Sequence, residues 1–237
     1  MPLPSIHPRH LAAAALALAL PLTGCSSSHH TTSAGTTHPA TPASGEPSAS
    51  TSASASPDIS AWPTVPTDVD ETEVPKVDSE ILSRNYTGKS FIDALTRQWH
   101  IDLDARTKFD STKDDKPAVW HAEGTTHPTK GTELGVSVVW DLAGDLESLS
   151  CGATVKAPGR AAFLHACVRL DHPGADPAAA VRWVDSITGP TDRKFREAGV
   201  TTVSPLYRAG PAATELLEYG GGPTPTTYEL RVFGVKS

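Results

Sequence analysis

The sequence predicts an α+β domain, with an antiparallel sheet of about six to seven strands and two main helices packed on it, preceded by an apolar leader and a disordered linker. Three observations support this fold class. Apolar and polar residues alternate from Leu134 to Leu142, residues 177–188 have helical spacing with signals at both ends, and shorter alternating runs follow them. The predicted order is a helix, about four strands, a second helix and about three strands.

The N-terminus has the pattern of an export signal. Arg9 is its only formal positive charge, and an apolar run of Leu and Ala follows from Leu11 to Leu22. About a dozen apolar residues are too few to cross a bilayer, which takes roughly 20. We therefore expect residues 1–24 to be a signal peptide that is removed on export.

The residues Leu22-Thr23-Gly24-Cys25 resemble the lipobox of bacterial lipoproteins. The resemblance covers only the leader. It implies that Cys25 carries fatty acyl chains such as palmitate and that the signal is cut just before it. Because several acyl chains anchor a protein more firmly than one, the mature chain is expected at the cell membrane, on its extracytoplasmic face. The alternative is an ordinary cleaved signal in which Cys25 is incidental.

Export also bears on the other two cysteines. If Cys25 is lipidated, Cys151 and Cys167 remain as an even pair in an oxidising compartment. The sequence therefore predicts one disulfide between them.

Residues 25–67 are predicted to be the lipidated N-terminus and a disordered linker, and residues 68–237 the globular domain. Of the 32 residues from Ser26 to Pro57, 28 are Ser, Thr, Ala, Pro or Gly, a composition that buries no core. The domain holds 25 acidic residues against 19 Lys and Arg. Since phosphate binding requires clustered Lys and Arg, nucleic acid is disfavoured as a partner.

The first predicted helix runs from Phe91 to about His100. Ser90 is its predicted N-cap, and Asp93, three residues later, is the second residue of a predicted capping box. The stretch from Ser83 to Ser90 nearly matches a phosphate-binding loop, but Ser83 stands where that motif requires Gly. We interpret it as a turn that leads into the helix. Val119 to Thr125 is predicted to pair antiparallel with the strand at Leu134 to Leu142.

The segment after Pro158-Gly159 has two interpretations. A hairpin centred on Gly159 would set Cys151 opposite Cys167, which agrees with the disulfide. The competing interpretation makes Arg160 to Leu170 a helix, because its apolar residues also fit a period of 3.6. The strand is preferred, and the helix is left open.

The second helix is predicted to begin with Asp176 as N-cap and Pro177 at its first position, and to stop at Gly189-Pro190. Its buried stripe is Val181, Val184 and Ile187. A short helix is predicted to follow it and end at Gly199. The predicted strands after these helices are Val200 to Tyr207, Thr214 to Tyr219 and Thr227 to Val235.

This order of elements resembles exported α+β binding folds in which helices cover one face of an antiparallel sheet. One example is the tandem helix-plus-sheet layout of bacterial β-lactamase inhibitor proteins. The likeness is architectural, because no motif of that family is matched residue by residue, and it implies no specific activity.

Two candidate sites emerge from the sequence. His121 and Glu123 share one face of a strand and His127 follows across the loop, so the three are possible zinc ligands. His100, Asp102 and Asp104 form a weaker set of the same kind. Trp183 lies off the buried stripe beside Arg182, where the pair could anchor a partner. No strained Gly-x-Ser-x-Gly turn indicates a serine hydrolase, and no catalytic residue is assigned.

The sequence thus favours a non-enzymatic binding module at the cell envelope, without a cofactor, that recognises a protein, glycan or small ligand through its sheet face. Two alternatives stay open. One is an envelope hydrolase or metal-dependent enzyme using His121, Glu123 and His127, and the other is a structural envelope component.

Overall fold

In the computed structural model, which describes residues 59–69, 79–110 and 117–236, nine strands form one antiparallel sheet and three α-helices accompany it. This confirms the predicted α+β fold, with more strands and one more helix than expected. The predicted leader, Cys25 and the linker up to residue 58 lie outside the described residues. The elements are β1 (Thr67–Asp68), α1 (Lys89–Trp99), β2 (Thr107–Phe109), β3 (Val119–Thr126), β4 (Leu134–Trp140), β5 (Leu146–Thr154), α2 (Arg160–Cys167), α3 (Pro177–Ala198), β6 (Thr202–Val203), β7 (Tyr207–Ala209), β8 (Ala212–Gly221) and β9 (Thr224–Gly234).

The strand order across the sheet is β1-β6-β8-β9-β5-β4-β3-β2, and β7 pairs with β8. The last strand, β9, therefore lies between β8 and β5, in the middle of the sheet. Its register sets Leu230 between Leu216 of β8 and Cys151 of β5. The hairpin of β8 and β9 therefore connects β6 on one side of the sheet with β5 on the other, and its Leu216 and Leu230 are fully buried in the core.

The meander of β3, β4 and β5 follows the predicted alternation. Leu134, Val136, Val138 and Trp140 are buried, and the residues between them are partly exposed. The predicted antiparallel pairing of β3 with β4 is confirmed, with Ala122 opposite Val138. Because side chains alternate along a strand, one face of the meander is apolar and the other is polar.

Helix α1 forms where predicted, but its cap is different. The helix begins at Lys89 and its N-cap is Gly88, which has φ 63°. A Cβ at Gly88 would lie 2.7 Å from a methyl carbon of Leu146, so the close packing of this turn on β5 requires glycine. The predicted cap residue Ser90 lies inside the helix, and Asp93 pairs with Lys89 instead.

The chain after Gly159 is the helix α2 and not the preferred strand. Phe163, Leu164 and Cys167 are all buried. Strand alternation would expose either Phe163 or Leu164, whereas a helical period buries both on one side. The predicted disulfide is present, and it joins Cys151 of β5 to Cys167 of α2 with a Cα–Cα distance of 6.4 Å.

Helix α3 starts as predicted and ends later. The Asp176 carboxylate accepts a hydrogen bond from the Ala179 backbone N–H at 2.9 Å, and Pro177 is the first helical residue. The helix then continues through Gly189-Pro190 to Ala198, so the two predicted helices are one. Pro190 removes one backbone hydrogen bond, but Thr191 and Phe195 extend the buried face beyond it.

The later strands differ from the prediction at their ends. The predicted strand from Val200 to Tyr207 is divided between β6 and β7. Pro205, which has no N–H for a strand ladder, lies in the break. Strands β8 and β9 form a longer hairpin than expected, with Gly221 opposite Thr224.

Part of the predicted linker is packed in the structure. Ile59–Ala61 form a 3-10 helix, and the Trp62 indole N–H donates to the Ser204 carbonyl at 2.9 Å. Strand β1 pairs with β6, and the Asp68 carboxylate lies 3.0 Å from the Lys194 ammonium of α3. Residues 59–67 therefore belong to the folded domain.

None of the helices in the described ranges is at once long enough and apolar enough to cross a membrane.

Candidate functional site

The two faces of the sheet differ in what covers them. Buried side chains from β3, β4, β5, β8 and β9 pack with those of α1, α2 and α3 in the main core. In the described part of the chain, the opposite face has a second, small cluster, where Ile59 and Leu206 pack against Ala213, Phe233 and Val235. We call the rest of that opposite face, over β3, β4, β5 and β9, the open face.

A groove of about 550 Å³ lies on the open face. Its floor contains Gly135 and Ser137 of β4 and Ser150 and Gly152 of β5. The register pairs Gly135 with Gly152 and Ser137 with Ser150, so all four residues point to the same side of the sheet. Because these residues have small side chains or none, the backbone of both strands lies close to the bottom of the groove.

Gly152 has no conformational requirement to be glycine. Its φ is not positive, and a Cβ placed on it would meet no atom of the described residues within 4 Å. A glycine inside a strand destabilises the protein by roughly 0.5–1 kcal/mol relative to alanine. Strand glycines without a bulge or bend often mark the close approach of a ligand or another backbone. The space above Gly152 is therefore available to a ligand.

Carboxylates surround this floor. Two come from the loop after α1, one from β3, one from the residue before β4, and one from β9. They are Asp102, Asp104, Glu123, Glu133 and Glu229.

The carboxylates of the groove have no strong counter-charge among the described residues. None of the five forms an ion pair with a described Lys or Arg. Two histidines approach them, with His121 Nε2 at 3.9 Å from Glu123 Oε2 and His127 Nδ1 at 3.9 Å from Glu133 Oε2. The groove therefore concentrates negative charge on a chain whose formal net charge is already −7.

Arg231 lies on the same face, next to Ser150 in the register. Its guanidinium Nη1 is 3.5 Å from Glu215 Oε1, and Nη2 donates to the Ser79 hydroxyl. The guanidinium carbon also lies 4.8 Å from the centre of the Phe233 ring. These partners are outside the groove, and Arg231 forms its ion pair with Glu215 rather than with one of the five carboxylates.

Tyr219 of β8 closes one side of the groove. Its hydroxyl is hydrogen-bonded to Glu229, and burial raises the pKa of the phenol, with further contributions from Glu229 and Glu133. The hydroxyl therefore stays protonated at neutral pH. It is available as a polar contact beside the carboxylates.

The loop after α1 holds Asp102 and Asp104 against the edge of β3. The Asp104 backbone N–H donates to the Glu123 carbonyl at 2.8 Å, which extends the sheet pairing into the loop. A Cβ at Gly124 would lie 2.3 Å from the Asp102 carbonyl oxygen. Glycine at position 124 thus permits the close approach that sets both aspartates beside Glu123.

The three predicted zinc ligands are not brought to one point, although His121 and Glu123 lie close to each other. His121 and Glu123 share one face of β3, as expected, but the His121 Nε2 atom is bonded to the Ser137 hydroxyl at 3.0 Å. His127 Nδ1 is instead hydrogen-bonded to the Thr132 carbonyl, and the ring lies beside Glu133. No group of three or more His, Cys, Asp or Glu side chains in the described ranges is arranged to hold a metal ion. Asp102 and Asp104, predicted as weaker metal ligands, instead line the groove.

His165, Asp171 and His172 have separate partners in the structure and form no common site. His165 Nε2 lies 2.7 Å from the Asp185 carboxylate on α3. The Asp171 carboxylate accepts a hydrogen bond from the Tyr86 hydroxyl at 2.7 Å. His172 is buried beside the Pro173 carbonyl, and burial lowers its pKa.

Trp183 is less available to a partner than its sequence position suggests. The side chain is partly buried against the main core. Its ring centre lies 5.9 Å from that of Tyr207, with the planes tilted by 31°. Arg182 beside it is exposed. Of the predicted anchor pair, Trp183 therefore contributes to packing between α3 and the sheet, and Arg182 alone is exposed.

Sequence reasoning missed Glu133, Glu229 and Tyr219 as site residues because they lie on elements far apart in the chain. One signal was present in the alternation of β4, where Gly135 and Ser137 occupy the polar face. Small residues on the exposed side of a strand indicate a depression, but they do not reveal which side chains form its walls. That information requires the strand order.

No protein-family model matches this chain, and neither the curated proteins nor the solved structures contain a match to it.

Proposed function

We propose that this chain is an extracytoplasmic lipoprotein, anchored in the cell membrane by lipid on Cys25, whose globular domain is a non-enzymatic binding module. The groove on the open face would carry recognition. The ligand would be a protein, a glycan or a small molecule of the cell envelope.

The groove is the observation that carries this proposal. Its volume of about 550 Å³ is within the range of ligand sites, roughly 300–1,000 Å³. Convergent polar groups line it, whereas the helices occupy the other face of the sheet. A concave surface with convergent polar groups supports a binding role.

The anchoring part of the proposal is supported by the leader and by the cysteines. The Leu22-Thr23-Gly24-Cys25 motif directly follows the apolar run. The Cys151–Cys167 disulfide is of the kind that persists in oxidising compartments. Both features agree with export followed by attachment to the membrane.

Anchoring is tested by expressing the whole chain in a bacterium that processes lipoproteins and partitioning its extract with a cloud-point detergent. We expect the mature chain in the detergent phase and its mass increased by acyl chains. The Cys25→Ala variant, exported with an ordinary cleaved signal in place of residues 1–24, should enter the aqueous phase because it has neither the apolar leader nor a thiol to acylate. Equal partitioning of both proteins would contradict the anchor.

Binding is tested by thermal unfolding of the exported Cys25→Ser chain with metals, envelope glycans, peptidoglycan fragments and short peptides. A ligand that binds the native state raises Tm. The matched control carries Gly152→Val as well, which fills the groove at a position where a Cβ meets no neighbour. We expect a rise in Tm that this control loses. A rise of equal size in both proteins would contradict recognition by the open face.

A further inference from the structure

We infer that the groove on the open face binds a basic peptide segment of a partner protein, in which Lys or Arg side chains meet the groove carboxylates while the peptide backbone lies over Gly135 and Gly152. This inference rests on the proposed binding function and names the class of ligand.

Charge complementarity is the first argument. Five carboxylates converge on one concave surface and pair with no described Lys or Arg, so a cationic ligand would supply the missing counter-charge. Complementary charges increase both the rate of encounter and the specificity of a complex. A neutral glycan would leave the negative charge of the groove unbalanced, and an acidic ligand would be repelled by it.

The floor provides an independent argument. Gly135 and Gly152 face each other across β4 and β5, and nothing in the described structure fills the space above Gly152. A side chain there would improve the strand without a clash, so glycine at this position has no packing explanation. It allows a partner's main chain to lie directly on the sheet.

The hydroxyls of the groove favour a peptide over a simple polyamine. Ser137, Ser150 and Tyr219 line the groove with hydroxyl groups, of which Ser137 also hydrogen-bonds to His121 and Tyr219 to Glu229. A peptide backbone has amide N–H and C=O groups that hydrogen-bond with hydroxyls. The methylene chain of a polyamine would remove water from these hydroxyls without replacing its hydrogen bonds, which costs free energy.

The test uses the exported Cys25→Ser chain and three labelled hexapeptides that differ only in charge: Lys/Arg-containing, uncharged and Glu-containing. Fluorescence anisotropy would measure Kd at about 50 mM and at about 500 mM salt, because exposed charge pairs are screened within a few ångströms at high salt. We expect binding of the basic peptide alone, at least about tenfold weaker at the higher salt. Spermine is included as a polyamine without amide groups.

Three variants locate the contact. Glu123→Gln/Glu229→Gln should weaken binding about thirtyfold, since it removes two charge-assisted contacts that each contribute about fivefold. Gly152→Val should weaken it at least about tenfold by occupying the floor, with Tm unchanged or raised because valine favours strands. Glu197→Gln, which removes one exposed charge on α3 outside the groove, should change Kd less than about twofold.

Equal binding of the acidic and basic peptides, or full binding by both groove variants, would overturn the inference. Tighter binding of spermine than of the basic peptide would overturn the peptide as ligand. If all three hexapeptides fail while Gly152→Val still abolishes the Tm rise caused by another ligand, the inference is wrong and the proposed binding function stands. If no peptide binds and no ligand raises Tm, both the inference and the proposed binding function are contradicted.

Discussion

Glu218 is a buried carboxyl group on the helix-covered face of the sheet. It is 1% exposed, and its Oε2 atom has no hydrogen-bond partner among the described residues. Burial raises the pKa of Glu218 to about 7, with a further contribution from the Asp192 carboxylate of α3, while the Tyr228 hydroxyl and the Arg160 guanidinium oppose the rise. The folded protein therefore favours the neutral form of this side chain.

The raised pKa of Glu218 makes stability depend on pH. The folded state holds this proton more tightly than the unfolded state, whose carboxyl has its ordinary pKa near 4.5. The stabilising contribution is therefore complete below pH 4.5 and is lost as pH rises through about 7. Burial raises the pKa of Glu215 to about 7 as well, so it adds a loss of the same sign.

Glu218→Gln should remove part of this pH dependence. We expect the variant to match the wild type near pH 4 and to be more stable by about 3 kcal/mol near pH 8, because glutamine carries no charge to bury. Urea unfolding midpoints between pH 4 and 9 would measure the difference, with Glu197→Gln as an exposed control on α3. An equal loss of stability at both ends of the pH range would show that the Glu218→Gln variant fails for reasons of packing.

At the scale of the element, α3 offers a comparison between two glycines. Gly189 lies inside the helix with an ordinary φ, directly before Pro190, and apart from the neighbouring residues and the helix backbone a Cβ there would meet only the Arg193 guanidinium at 3.8 Å. Gly199 is the C-cap, with φ 73° and no atom of the described residues within 4 Å of a Cβ. The two sites differ in their constraint, because Pro190 disfavours a helical residue with a Cβ before it, whereas Gly199 has the left-handed conformation.

Gly189→Ala should change stability by less than about 0.5 kcal/mol, because the better helix propensity of alanine is opposed by contact of its Cβ with the Pro190 ring. Gly199→Ala should destabilise it by about 1 kcal/mol, because an L side chain disfavours the left-handed conformation. Thermal and urea unfolding of the two single variants would measure both effects. Stabilisation of Gly189→Ala by about 1 kcal/mol would mean that the helix accepts a Cβ before Pro190 without steric cost.

Helix α2 shows why local patterns were insufficient for one element. Its apolar residues fit both a strand and a helix, and the predicted disulfide favoured the strand, although the helix also forms it. Phe163 and Leu164 are adjacent, and both are buried. Both side chains pack between β5 and α1 only if the segment is helical. Phe163, for example, makes an edge contact with Trp99, with the ring centres 5.2 Å apart. Sequence spacing alone does not contain that contact.

At the scale of the whole molecule, the Cys151–Cys167 disulfide joins the centre of the sheet to the helix layer. It closes a loop with a sequence separation of 16. A disulfide that closes a loop of this length is expected to stabilise the protein by about 3 kcal/mol, because it lowers the conformational entropy of the unfolded chain. Non-reducing peptide mapping and urea unfolding at equilibrium, with and without reductant, would test this. Two free thiols in the native protein would contradict the bridge, and an unchanged midpoint after complete reduction would contradict its contribution.

The groove is a property of the whole molecule as well. The residues that line it come from the loop after α1 and from β3, β4, β5, β8 and β9. Three of its carboxylates, Asp102, Asp104 and Glu123, were singled out in the sequence, but as metal ligands beside histidines. The neighbours of Glu123 in the groove include Ser137, which the strand pairing sets opposite it. The sequence therefore identified part of the acidic wall and assigned it a different chemistry.

The sequence by itself determined the α+β class, the alternating strands β3 and β4, the start of α3 and the cysteine pairing. These features depend on residue periodicity, on capping chemistry or on parity, all of which are local or countable. Tertiary structure decided the helical state of α2, the continuation of α3 through Pro190 and the position of β9 between β8 and β5. The groove depends on that strand order, because only the pairing of distant strands brings Glu229 and Tyr219 beside Gly152. Long-range packing outweighs local preference at these positions.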